Sequence, residues 1–184
     1  MRAQPDKSPE CQGHSIFLHL INDHYDDIVG IARRLMRRER KGHTFGATGG
    51  ALANEIVLRL LNSSTHTATS RDELLIHSTN AARRVLVDYS RMRSAEKRSH
   101  DRRVEMPTDV TDAAWSRENR ALEIDELLQK LSLRRPRAER VLHLEYFGGL
   151  SQRTIGRILG ISQSSVQRES DAGRDWLASE LGIQ

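Results

Sequence analysis

Gln163, Ser164, Ser165, Gln167 and Arg168 put amide, hydroxyl and guanidinium groups on one face of a short segment near the end of the chain. Polar groups of this kind, projecting from the first turns of a short helix, are the ones that reach base edges in the major groove. The elements that would position them are legible in residues 150–176. Ser151 is placed to N-cap a first helix whose apolar residues Ile155, Ile158 and Leu159 fall at helical spacing. Gly160 suits the left-handed position that ends that helix, and Ile161 can drop its side chain between the two helices. Ser162 then caps a second helix in which Val166 faces inward. The pattern is that of a helix-turn-helix. An ordinary helical hairpin with a polar face is the competing reading, but Gly-Ile-Ser followed by an inward Val is more specific than amphipathicity.

The charge distribution points the same way. The 184-residue chain carries a formal net charge of only +4, but its basic residues are clustered. Arg33, Arg34, Arg37, Arg38, Arg40 and Lys41 form one block, interrupted by Glu39. A second block, residues 83–103, holds eight basic residues against Asp88, Glu96 and Asp101. It lies on a helix with a strong apolar stripe, giving a one-sided positive surface suited to phosphates.

Other classes are disfavoured. Cys11 is the single cysteine, so neither an intrachain disulfide nor a thiolate metal cage is expected. No apolar run approaches the roughly 18–20 residues that span a bilayer, and the first ten residues do not resemble a signal peptide. A soluble, cytoplasmic protein is expected. The eight histidines match no ligand spacing and are read as surface or boundary residues, so no metal and no cofactor are expected.

Nearly every apolar pattern has a period near 3.6, so the fold class is all-α. Phe17, Leu20, Ile21, Ile28, Ala32 and Leu35 give one helix, or two joined near Asp23, with Gly42 as its stop. A glycine-rich turn over 45–50 leads to a helix over 52–61, marked by Leu52, Ile56 and Leu60. Residues 63–69 form a Ser/Thr loop, and Ser70 with Glu73 reads as a capping box. The long helix that follows carries Leu75, Ala82, Leu86 and Tyr89 and frays near Ser99. Residues 101–119 contain Pro107, several acids and few apolar residues, and read as a flexible acidic linker. Helices resume over 121–131 and 136–146, with Pro136 in a first-turn position. The expectation is two small helical domains, 14–100 and 120–184, the second containing the helix-turn-helix.

Nothing reads as catalytic. The run Phe45-Gly-Ala-Thr-Gly-Gly lacks the Gly-Lys-Ser/Thr ending of a phosphate loop and has no preceding strand. Asp23, Asp26 and Asp27 read as solvated acids on a helix face. An enzyme is not expected.

Four stretches, in order, resemble the extracytoplasmic-function (ECF) group of bacterial RNA polymerase sigma factors, within the sigma-70 family. They begin at Ala32, Leu52, Ala81 and Arg140, and the likeness covers about residues 15–181. The resemblance implies a non-catalytic specificity subunit that joins core RNA polymerase, places it on promoter DNA and helps open the duplex. Residues 14–100 would bind polymerase and act on the −10 element, and residues 120–184 would read the −35 element. Asn54, Glu55 and Leu58 match the clamp-binding positions, an exposed carboxylate and an apolar anchor able to pair with a basic coiled coil. Arg83, Arg84, Asp88, Tyr89, Arg91 and Arg93 match the melting and −10 positions. There arginines would hold the strand backbone and Tyr89 would stack on an unpaired base or serve the core. Gln163, Ser164, Ser165, Gln167 and Arg168 would meet −35 bases, while Arg153 and Arg174 would meet phosphates. Arg168 or Arg174 could instead pair with Glu169 or Asp171 on the same helix. An anti-sigma factor held between the domains would suit the acidic linker, although no residue demands one.

The chain departs from the subgroup pattern at Gly49-Gly50, an apparent insertion, and at Ser170, usually aromatic. Gln167 and Asp171 replace Lys and Arg, which implies weaker −35 binding. The log–log salt slope should be flatter by about 0.9 for each phosphate that is no longer neutralised. Two other functions compete with a sigma factor. One is a stand-alone dimeric helix-turn-helix regulator; the other is a degenerate sigma-like protein that binds polymerase without initiating.

Overall fold

The computed structural model describes residues 9–39, 49–63, 68–101 and 120–182, and every regular element among them is an α-helix. In chain order these are α1 (Pro9–Asp23), α2 (Tyr25–Glu39), α3 (Gly49–Leu61), α4 (Arg71–Asp101), α5 (Arg120–Arg134), α6 (Pro136–Tyr146), α7 (Gln152–Leu159) and α8 (Gln163–Glu180). The expected stop at Gly42, the turn over 45–48, the loop centre 64–67 and the linker over 102–119 lie outside the described residues. Gly49 and Gly50 open α3 rather than belonging to the turn before it.

The apolar stripes expected from the sequence are the faces that pack. Phe17 and Ile21 of α1 meet Ile28, Ile31 and Leu35 of α2, Leu52 and Ile56 of α3, and Leu74, Ala82 and Leu86 of α4. Each such side chain contributes roughly 1.5–3 kcal/mol by leaving water. α1 and α2 stay distinct because the chain turns at His24, whose N–H bonds Leu20 O at 3.1 Å while its carbonyl accepts from Asp27 at 3.0 Å. The same cluster continues through Leu128 and Leu131 of α5, Ala138 and Leu142 of α6, and Phe147. A smaller cluster of Val141, Leu144, Ile155 and Val166 joins α6, α7 and α8, with Ile76 of α4 against it.

α4 is the axis, at 31 residues. Its start is capped by Ser70, which accepts the Glu73 N–H at 3.2 Å. Glu73 returns to the Ser70 backbone N–H, as a capping box requires, and reaches on to Thr69, taking its N–H at 2.7 Å and its hydroxyl at 3.1 Å. The Thr69 bonds hold the Glu73 carboxyl below its ordinary range. The turn after α6 rests on this axis. A Cβ added to Gly148 would stand 2.6 Å from Thr79 Oγ1, and Gly149 takes φ +58°. Only glycines let that turn approach so closely.

Two surface expectations are corrected. His143 is buried, 8 % exposed, because α6 is covered by α4 as well as by its own neighbours. Its Nε2 lies 2.9 Å from Asn80 Oδ1 and its ring is 5.4 Å from Phe147. Burial, helped by Arg83 and opposed by Asp125, pushes its pKa down to about 4. Asp27 is not a solvated acid: Arg71, brought across from α4, donates to both its oxygens at 2.7 and 2.8 Å. Those bonds, against the opposing effect of burial, hold its carboxyl below the usual range. No described helix is long and apolar enough to cross a membrane.

Candidate nucleic-acid interface

Local rules build the end of the chain. Ser151, extended at φ −72°, accepts the Thr154 N–H at 3.2 Å and starts α7. Gly160 ends it in the left-handed region at φ 65°, ψ 33°. Ser162 accepts the Ser165 N–H at 3.1 Å and starts α8. The turn folds back tightly: Ile161 N–H bonds Gly156 O at 2.9 Å, and a Cβ on Gly156 would stand 2.7 Å from Ile161 O. Ile155 and Val166 are fully buried where the helices cross, and half-buried Ile161 packs against them.

This frame leaves Gln163, Ser164, Gln167 and Arg168 exposed on the first turns of α8, with Arg153 exposed on α7. Ser165 is half-buried and its hydroxyl lies 2.9 Å from that of Ser162, so it serves the cap as well as the face. Gln152 Nε2 donates to Gln167 Oε1, and Gln167 Nε2 donates to Asp171 Oδ1 at 2.7 Å. Arg174 pairs with neither Glu169 nor Asp171. It reaches α6, where Glu145 accepts its Nη2 at 3.0 Å and the buried Ser170 hydroxyl at 2.8 Å. Glu145 outcompetes the two carboxylates on α8 because it sits beside the buried seam, where its charge is less screened.

The second group of sequence-marked residues lies on α4. Arg84, Asp88 and Arg91 are exposed, and Tyr89 is half-buried. The Arg93 side chain lies outside the described residues. Arg83 is turned towards α5, where its Nε donates to Asp125, a carboxylate only 4 % exposed that also accepts from Gln129 at 2.8 Å. Asn80, Arg83, Arg84, Asp88, Arg91 and Asp125 share one shallow cleft, in which three guanidinium groups face two carboxylates.

The third group lies on α3. Leu58 is 53 % exposed, the most accessible large apolar side chain of that helix. Asn54 accepts from the Tyr25 hydroxyl at 2.9 Å, and Glu55 accepts from Arg59 Nε at 3.2 Å. Arg59 also donates to Asp88 at 2.7 Å, so one guanidinium joins the marked face of α3 to that of α4. Burial would lower its pKa, but the bonds to Asp88 and Glu55 outweigh that and raise it.

Sequence reasoning missed Arg59, Asp125, Glu145 and Gln152. Arg59 stands four residues after Glu55, a helical ion-pair spacing that signals the first contact. The others act across 15 to 42 residues, and no local pattern carries them.

Among known protein families, residues 12–182 match the one described as ECF sigma factor. No curated protein and no solved structure matches the chain. A match spanning nearly the whole sequence, over an all-helical fold with three exposed polar faces, gives one conclusion: the chain belongs to the ECF sigma factor family.

Proposed function

We propose that the chain divides the work of an ECF sigma factor between two modules, residues 14–100 and 120–184. The first holds core RNA polymerase through Asn54, Glu55 and Leu58 on α3. The same module engages the −10 element through Arg83, Arg84, Asp88, Tyr89, Arg91 and Arg93 on α4. The second reads the −35 element as a helix-turn-helix, with Gln163, Ser164, Ser165, Gln167 and Arg168 at bases and Arg153 and Arg174 at phosphates.

The observation that supports this reading best is the family match over residues 12–182. The chemistry agrees. A protruding leucine beside a carboxylate makes a small apolar anchor with a polar rim, the form of an interface hot spot. Arginines on α4 supply sequence-independent attraction to phosphate, and a half-buried tyrosine ring can stack on an unpaired base. Arg174 lies beyond the first turns of α8 and bonds Glu145, which supports assigning it to backbone rather than base contact. A sigma factor needs no catalytic group, because the polymerase supplies the chemistry.

Co-purification of the full chain with core polymerase, followed by duplex binding with and without polymerase, tests the proposal. Polymerase capture together with polymerase-dependent promoter binding is expected. Tight, sequence-specific duplex binding by a dimer of the free chain would point to a stand-alone regulator instead. Polymerase capture without promoter binding would point to a degenerate sigma-like protein.

A further inference from the structure

Gln152, Gln167 and Asp171 form a continuous hydrogen-bonded chain across α7 and α8. Asp171 is the end that sets its direction. An ionised carboxylate only accepts, so the Gln167 group facing it must be the Nε2 amine. The Gln167 carbonyl then faces Gln152, whose own amine must turn towards it. Flipping the Gln167 amide would set its oxygen against the carboxylate, a repulsive approach that no turn of Gln152 relieves.

A primary amide has two N–H donors and two lone pairs. Asp171 takes one donor and Gln152 takes one lone pair, which leaves one of each. Gln167 is exposed on the second turn of α8, among the exposed Gln163, Ser164 and Arg168, so its remaining donor and acceptor are open to solvent. In the major groove adenine offers an N6 donor beside an N7 acceptor, whereas guanine offers two acceptors. An amide left with one donor and one acceptor can match the first at both groups, whereas the second leaves its carbonyl facing an acceptor.

From this geometry we infer that Gln167 is a specificity-determining residue for adenine at one position of the upstream promoter element. Asp171 and Gln152 are its positioning residues. The inference rests on the reading of α8 as the helix that enters the groove. It gives Asp171 a purpose that its charge alone opposes, since a carboxylate near DNA repels phosphate. The carboxylate orients the amide, and affinity is carried by the arginines.

The test uses the full chain assembled with core polymerase and a promoter library randomised in the upstream element. Wild type should favour adenine at one position by about tenfold, and Gln167→Ala should remove that preference there alone. Asp171→Ala and Gln152→Ala should each relax the same position by several-fold, without lowering overall binding. In the Gln167→Ala background neither should change the sequence profile further. A role limited to joining α7 and α8, or to repelling phosphate, would instead move binding equally in both backgrounds and leave the profile unchanged. That result would overturn the inference alone. A wild-type protein with no upstream preference at any position would overturn the reading of α8 together with it.

Discussion

The Arg83 guanidinium on α4 is bound to Asp125 on α5, a carboxylate only 4 % exposed and braced by Gln129 at 2.8 Å. The pair joins residues 42 positions apart and ties the basic helix to the second half of the chain. Removing one partner strands a buried charge, which costs far more than the intact pair contributes. Arg83→Ala should therefore destabilise the protein by about 3 kcal/mol in urea denaturation. Replacing both residues by leucine should recover most of that loss. Equal losses in the single and double variants would contradict the pairing.

His143 makes the same interface sensitive to acid. Its folded pKa of about 4 lies below the ordinary 6.5, so the unfolded chain binds the proton more readily. The folded state gains from the neutral ring above about pH 6.5, and this gain is lost progressively as pH falls towards 4. Arg83 adds to the depression, and Asp125 works against it. Glu139 on the same helix is raised by burial, so its folded form binds the proton more readily and it works against His143 as pH falls. Between about pH 7.5 and 5 the His143 contribution should fall by about 2 kcal/mol. His143→Gln should flatten that part of the stability profile, as measured by urea unfolding at each pH.

The turn between α7 and α8 should rank its residues by mechanism. Ser162→Ala removes a capping oxygen and should cost about 1 kcal/mol. Gly160→Ala forces a side chain into the left-handed region, a cost of about 1–2 kcal/mol with open space around it. Gly156→Ala must displace the Ile161 carbonyl and should be the most damaging of the three. Thermal unfolding of the three variants checks the order.

The α3 face should bind polymerase without supporting the fold. Leu58 is 53 % exposed, and Glu55 pairs with Arg59, which keeps Asp88 as a second partner. Leu58→Asp and Glu55→Arg should each change stability by only about 0.5 kcal/mol. Both should abolish capture of core polymerase. Undiminished capture by both variants, with folding intact, would count against this face.

Much of this is legible because it is local. The caps at Ser151 and Ser162, the left-handed Gly160 and the inward Val166 are short-range chemistry, and each stands where the residue types place it. Apolar periodicity likewise gives the helices and the exposed face of α8. What periodicity cannot encode is which helix covers which. His143 reads as a boundary residue in the sequence because its burial comes from α4, which precedes it by dozens of positions. Arg174 has acidic neighbours on its own helix, yet Glu145 of α6 takes it. Gln167 and Asp171 read as two separate reductions of positive charge. Their four-residue spacing places them together, and only the crossing of α7 over α8 adds Gln152.

Run-off transcription by core polymerase with and without the full-length chain, on fragments of genomic DNA, tests the central claim most directly. The account predicts discrete transcripts that appear only when the chain is present, from fragments sharing an upstream and a downstream element. Polymerase that binds the chain yet starts at no defined site would contradict it.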